Sequence, residues 1–197
     1  MVWDHLDDLS TEKISLRPMS EHDQASIVAA ASDGKLWDLW FTSVPSANTV
    51  EDYLEEALAQ KKQGSGLPLV VVDNQTGQVI GSTRFCNYVE QHRRVEIGYT
   101  FYAKSYQRSS VNTECKWLML SYAFETMNVV AVEFRTHWLN HASRTAIERL
   151  GAKQDGVLRK HRILDDGSYR DTVVFSILDN EWTMVKRHLQ HKLAATY

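Results

Sequence analysis

The sequence predicts an α/β (α+β) fold, a mixed central sheet of about seven strands with helices on both faces. Three observations predict it. Short runs alternate apolar and polar residues with period two. Amphipathic stretches with a period near 3.6 are interleaved with them. The order is strand, helix, helix, strand, strand, strand, helix, strand, helix, strand, strand, then a final helix.

Residues 13–18 (Lys-Ile-Ser-Leu-Arg-Pro) alternate and read as the first strand. Ser20 with Asp23 marks a helix start before the apolar run Ile27 to Ala31. Trp37 and Trp40 fall in an irregular apolar segment that ends near Pro45. Thr49 with Asp52 is a second capping signal, and Val50, Tyr53, Leu54, Ala57 and Leu58 follow at helical spacing up to Gly64-Ser-Gly66. Leu67 to Asp73 is a β-branched run and reads as a buried strand. After the turn Asn74 to Gly77, Gln78–Val89 and Arg94–Tyr102 read as strands, the first of them antiparallel to its predecessor.

Val111, Cys115, Leu118 and Tyr122 form one stripe of the next helix. Residues 131–138 alternate again, with Val132, Phe134, Thr136 and Trp138 on one face. Asn140 is placed to cap a helix carrying Ala142, Ala146, Ile147 and Leu150, and Gly151 fits its stop. Gly156–Leu164, the turn Asp165 to Ser168, and Tyr169–Leu178 read as a hairpin. Asp179 opens a last helix with Trp182, Val185 and Leu189 on one side.

Composition narrows the function classes. A chain of 197 residues, 43% hydrophobic and 24% charged, fits one domain with a real core. Net charge is −3 with both signs interspersed, so nucleic acid is not an expected partner. Cys86 and Cys115 form no metal-ligand pair, and a reducing, cytoplasmic setting is the simple expectation. The acidic start, Met1 to Asp8, lacks the apolar region of a secretory signal, and no run is long enough to span a bilayer. His188 and His191 lie three apart without a Cys or carboxylate to complete a set, so no metal is expected. The chain has no Gly-x-x-x-x-Gly-Lys-Ser/Thr loop for ATP.

The stretch with most chemical content runs from Glu96 through Tyr102 to Gln107-Arg-Ser-Ser-Val-Asn112 and on into the helix. A helix start presents unpaired backbone N–H groups and the positive end of a dipole. Together they form a site for a phosphate group. Gln107, Arg108, Ser109, Ser110, Val111 and Asn112 are therefore candidate cofactor-binding residues.

This run resembles the acetyl-CoA-binding motif of the GNAT superfamily of N-acetyltransferases. Residues 131–151, with Asn140 and Ser143, look like the second half of the same site, and Gly156 to His161 and Ser176 to Trp182 resemble the flanking motifs. Taken together the set is similar to the Rim-type (RimJ/RimL-like) branch, which modifies ribosomal-protein N-termini. The similarity covers roughly residues 10–190, so residues 1–197 are expected to be a single acetyltransferase domain. One departure stands out: the superfamily's Gln/Arg-x-x-Gly-x-Gly/Ala has Ser110 and Asn112 in place of small residues. Glycine there would permit positive φ and close ligand approach, so this loop either keeps negative φ throughout or binds its cofactor less tightly.

The resemblance implies an acetyl-CoA-dependent N-acetyltransferase, with CoA as product and direct attack of an amine on the thioester. The expected acceptor is a protein N-terminal α-amine. Alternatives are a small amine (polyamine, amino acid or amino sugar) or an acyl-CoA sensor without turnover. Assembly as a monomer or homodimer is expected. Glu96 is the candidate base: Val95, Ile97 and Tyr99 surround it, and burial would raise its pKa. It could equally be paired in the sheet with Arg93, Arg94 or Arg84. Ser143 is the candidate acid near the sulfur, and Asn140 is expected to bond the pantetheine arm; capping alone would also explain both. The family's strand splay would free backbone N–H groups around Phe101 and Tyr102 for the thioester. Trp37, Trp40, Tyr53 and Arg84 are candidates for the acceptor wall, though aromatic residues at such spacing are commonly core.

Overall fold

The computed structural model describes residue 3 and residues 9–164 and 166–195. The first strand, β1 (Ile14–Pro18), leads through a 3-10 turn at Glu21–Asp23 into α1 (Gln24–Ser32). Then come α2 (Val50–Lys62), β2 (Leu67–Asp73), β3 (Val79–Val89), β4 (Arg94–Tyr102) and α3 (Val111–Ser121). Finally β5 (Ala131–His137), α4 (His141–Leu150), β6 (Lys153–Ile163), β7 (Tyr169–Leu178) and α5 (Asp179–Ala194) complete the order expected from periodicity. One sheet of seven strands is ordered β1-β2-β3-β4-β5-β7-β6, antiparallel throughout except for β4 beside β5.

Each face of the sheet is covered. Leu67, Leu69 and Val71 of β2 point into a core shared with Cys115, Met119 and Trp182, whereas Val70 points to Ile27, Leu54 and Ala57 of α1 and α2. This two-sided burial is why β2 reads as a β-branched run without alternation. Local differences from expectation have local causes. Thr49 precedes α2, but its hydroxyl accepts from Ser46 N–H at 2.9 Å and does not cap the helix. Asp23 accepts from Ser20 N–H at 2.8 Å and pairs with Arg17, and a 3-10 turn fills the interval before α1. The last strand pair starts earlier than expected, at Lys153, because Gln154 pairs with Phe175 across it. The turn expected at Asp165 to Ser168 includes Asp165, which lies outside the described residues, as do most of the first eight.

After Ser121 the helix widens into a π-turn, Tyr122–Thr126, closed by Met127 N–H to Tyr122 O at 3.0 Å. The turn brings Phe124 onto Trp182 with ring centroids 5.2 Å apart, and Glu125 accepts from Trp182 Nε1 at 2.8 Å and Lys186 Nζ at 2.7 Å. In this way α5 is fixed beside α3.

Two irregularities in β4 position the site. Only Arg94, Val95 and Glu96 pair with β5, opposite Ala131, Val132 and Glu133. Beyond them the parallel strands separate. On its other edge β4 carries a bulge: Gly98 to Phe101 spans the interval between Arg84 and Ser82 of β3, with Tyr99 at φ 51°.

Candidate active site

A cleft of about 1010 Å³ fills the wedge between β4 and β5. Its walls are β4 from Ile97 to Tyr102, β5 from Phe134 to His137, the start of α3, and α4. The separation of the strands leaves main-chain groups without a ladder. Ala103 N–H donates to Ile80 O at 2.8 Å, so strand alternation turns the Tyr102 N–H away from β3 and toward the gap, while Phe101 faces Ser82.

The loop before α3 is held from inside. Gln107 Nε2 donates to Tyr102 O at 3.0 Å, and the Ser109 hydroxyl donates to Tyr106 O at 2.6 Å. The left-handed position is Arg108, at φ 61°, while Ser110 sits at φ −70°, ψ −17° as an ordinary helix entry. The loop therefore does not keep negative φ throughout, yet neither Ser110 nor Asn112 occupies a conformation that needs glycine. The Ser110 hydroxyl donates to Glu114 Oε1 at 2.7 Å, and Ser110 and Val111 turn away from the cleft. Gln107, Arg108, Ser109, Asn112 and Thr113 line it. Among the described residues, the N–H groups of Arg108, Ser109, Ser110, Asn112 and Thr113 have no hydrogen-bond acceptor. Such a set of unmet donors at a helix start suits a phosphate.

Asn140 caps α4, its Oδ1 accepting from Ser143 N–H at 3.0 Å. The capping expected from sequence is present, and both residues also line the cleft. Glu96 lies at the closed end of the wedge. Its Oε2 accepts from Asn87 Nδ2 at 2.8 Å and stands 3.4 Å from Arg135 Nε. Of the arginines considered as partners, Arg93 binds Asn128, Arg94 binds Glu133, and Arg84 faces Gln60 and Glu56. Burial pushes the Glu96 carboxyl above the ordinary glutamate value, against the opposing pull of Asn87 and Arg135. Glu96 does not itself line the cleft; Gly98 does, and a Cβ there would stand 3.5 Å from Glu96 Oε1.

The acceptor-wall candidates separate into two groups. Trp40 is 62% exposed and meets His137 edge-on, centroids 5.1 Å apart, at the rim of the cleft. Trp37 rests half-buried on the α1–α2 core. Tyr53 and Arg84 are buried behind Tyr99 and do not line the cleft. The Tyr53 hydroxyl and Ser82 Oγ share a 3.0 Å hydrogen bond, and the Arg84 guanidinium lies 3.9 Å from the Tyr99 ring centroid. Their neighbours in the wall are Leu36, Leu39 and Phe41 to Val44, from the segment joining α1 to α2.

His137 and Lys116 are two of the cleft residues that were not singled out from sequence. His137 Nδ1 accepts from Leu139 N–H at 3.0 Å, which leaves the ring proton on Nε2, and burial beside Arg170 holds its pKa down. Lys116 is buried on α3, its Nζ donating to Thr83 Oγ1 at 3.0 Å and Thr100 Oγ1 at 2.7 Å. Burial lowers its pKa, with no carboxylate in salt-bridge reach among the described residues. Strand alternation offered the only signal for His137. Lys116 gave none, since a lysine beside an apolar stripe ordinarily reaches solvent.

The charge of the cleft is one-sided. Among the described residues no Asp or Glu lines it, whereas Arg108, Lys116, Arg135, Arg149, Arg170 and Lys192 do. A chain with net charge −3 thus concentrates basic groups around one cavity, as a polyanionic ligand requires. Cys86 and Cys115 are buried, and burial pushes both thiols up. Among the described residues no group of three His, Cys, Asp or Glu side chains converges, and no helix is long and apolar enough to cross a membrane.

Residues 13–153 match the family described as an acetyltransferase (GNAT) domain. The chain belongs to the GNAT acetyltransferase family. It is 24% identical over 171 residues to the uncharacterized N-acetyltransferase YoaA of Bacillus subtilis, covering 86% of this chain and 96% of that protein. Among solved structures, a GCN5-related N-acetyltransferase from Brucella melitensis superposes with TM-score 0.82 at 27% identity, over 92% of this chain and 83% of that one. Mycobacterium smegmatis RimJ, in complex with CoA-disulfide, shares the fold at TM-score 0.76 and 20% identity, over 91% and 88% of the two chains. GNAT acetyltransferases act on amine acceptors, and in this chain the open main chain and the basic walls meet in the wedge between β4 and β5.

Proposed function

We propose that this GNAT enzyme transfers acetyl from acetyl-CoA to a protein N-terminal α-amine, with both substrates bound together and residues 10–190 acting as one catalytic unit. The observation that carries the reading is the wedge itself: open amides at one mouth, basic walls, and a partly buried carboxylate at its closed end. The CoA-disulfide complex of RimJ, a protein of the same fold, supports the cofactor.

The residues fit such a cofactor. The free N–H groups of Arg108, Ser109, Ser110, Asn112 and Thr113, with the Arg108 guanidinium, would hold a diphosphate. Nδ2 of Asn140 and the N–H of Tyr102 face the same cleft and would position the pantetheine arm and the carbonyl. Acetyl-CoA, when bound, supplies an activated thioester. Glu96 takes the proton of the attacking amine across the Gly98 gap, a task suited to a carboxylate whose pKa is raised toward the working pH. An α-amine with pKa about 7.7–8.0 asks less of that base than a lysine near 10.4. Ser143, which lines the cleft, would donate to the departing sulfur.

Thermal unfolding with and without CoA, combined with thiol release over a panel of N-terminal peptides, tests the reading. Saturating CoA at 100 times its Kd should add about 2.7 kcal/mol, a rise of roughly 5–10 °C. Peptides with a free N-terminus should release thiol, and N-terminally blocked peptides should not. No shift with CoA, or release that is indifferent to blocking, would refute it.

A further inference from the structure

The sheet face that carries Glu96 also carries Glu133, Arg135 and His137 on β5 and Arg170 and Thr172 on β7, by strand register. Its carboxylates are already engaged. Glu133 accepts from Arg94 at 2.5 Å and Arg135 at 2.9 Å, and Glu96 accepts from Asn87 and pairs with Arg135 at 3.4 Å. Arg170 and Arg162 remain. They stand directly opposite one another in the β6–β7 register, and neither has a carboxylate in salt-bridge reach among the described residues. Arg170 lines the cleft, and its Nε is buried without a hydrogen-bond partner.

Two like charges directly opposite one another on neighbouring strands repel, and an anion placed between them relieves that repulsion. Burial first, and then the neighbouring Arg162, lower the pKa of Arg170 against the opposing pull of Glu96 and Tyr99. The diphosphate site proposed above lies elsewhere, at the start of α3, so it does not supply this anion.

We propose that Arg170, with Arg162 behind it, binds a carboxylate carried by the acceptor itself, so that the acceptor is an amine with an acidic group a few bonds away. This inference rests on the acetyl-transfer reading of the same cleft. A planar guanidinium fork matches a carboxylate in two parallel hydrogen bonds. Either the Asp or Glu side chain next to a peptide's N-terminus or the carboxylate of a free amino acid supplies that chemistry. A polyamine meets only like charge.

The test compares thiol release for peptides beginning Ser-Asp and Ser-Asn, with free glutamate and spermidine as further acceptors. The acidic peptide should exceed its amide isostere about tenfold or more in kcat/KM, chiefly through KM. In Arg170→Gln the ratio should collapse toward one, and Arg170→Lys should restore part of it. Preferred turnover of free glutamate, lost in the same variant, assigns the carboxylate to an amino acid and upholds the proposal. A wild-type ratio near one, a preference for spermidine, or a ratio unchanged in Arg170→Gln overturns it. Should no acceptor react, calorimetry of the two peptides against the CoA-loaded protein separates the claims. Tighter acidic binding that depends on Arg170 keeps this inference and removes the catalytic reading; equal binding removes the inference.

Discussion

Glu96→Gln is expected to lower kcat/KM by about 10²-fold or more while leaving the CoA-induced rise in melting temperature intact. The loss follows from the position of the carboxylate, which is partly buried at the end of the wedge with Gly98 between it and the cleft. The effect on stability should run the other way. Because the folded-state pKa is raised, the folded chain holds this proton more tightly than the unfolded chain does. The stability this provides is present below the ordinary glutamate value and is lost as pH rises through the folded value. At neutral pH the ionised group is a liability, so the glutamine variant should melt no lower than the parent. The acid limb of the parent's pH–rate profile should fall above the ordinary glutamate pKa and vanish in the variant. Gly98→Ala is the companion experiment. A Cβ there makes only ordinary contacts, nearest 3.5 Å, so the protein should fold normally while turnover drops because the route to Glu96 is filled. Normal turnover by both variants would remove Glu96 from the mechanism.

Gly81→Ala should cause the largest loss of stability, about 3 kcal/mol or a melting temperature lower by roughly 6–12 °C. A Cβ at Gly81 would lie 2.3 Å from Phe101 O and 3.1 Å from Tyr102 Cα. Both contacts are to backbone, which has no rotamer to move. β4 must shift where Tyr102 turns its N–H to the cleft, so CoA binding should weaken along with the fold. Gly156→Ala is the control: nothing lies within 4 Å of its Cβ, and its melting temperature should stay within about 0.5 kcal/mol equivalent of the parent. Equal behaviour of the two variants would show that β3 and β4 do not approach as described.

Local physics was legible and non-local pairing was not. β2 and β7 were bounded in sequence at Leu67–Asp73 and Tyr169–Leu178 because burial and turn residues mark their ends directly. The capping of α4 by Asn140 was equally local. The separation of β4 from β5 leaves no trace in the periodicity of either strand, since both keep their alternation while their partner departs. It entered only through family resemblance. The π-turn after Ser121 was invisible for a similar reason: the helical stripe continues through Tyr122 while the hydrogen-bond pattern changes beneath it. Tyr53 and Arg84 show the limit of residue type as a guide. Both looked suited to an acceptor wall, and both are buried behind Tyr99, which forms the wall in their place. Lys116 escaped notice because its burial depends on Thr83 and Thr100, from strands distant in sequence.

The decisive measurement is the response of individual backbone amides, by heteronuclear NMR, to CoA and to pantetheine, which lacks the diphosphate. Arg108, Ser109, Ser110, Asn112 and Thr113 should shift strongly with CoA and remain still with pantetheine. Binding of CoA that leaves these five amides unmoved, or an equal response to pantetheine, would contradict the claim that this helix start holds the diphosphate and thereby directs the thioester to the wedge.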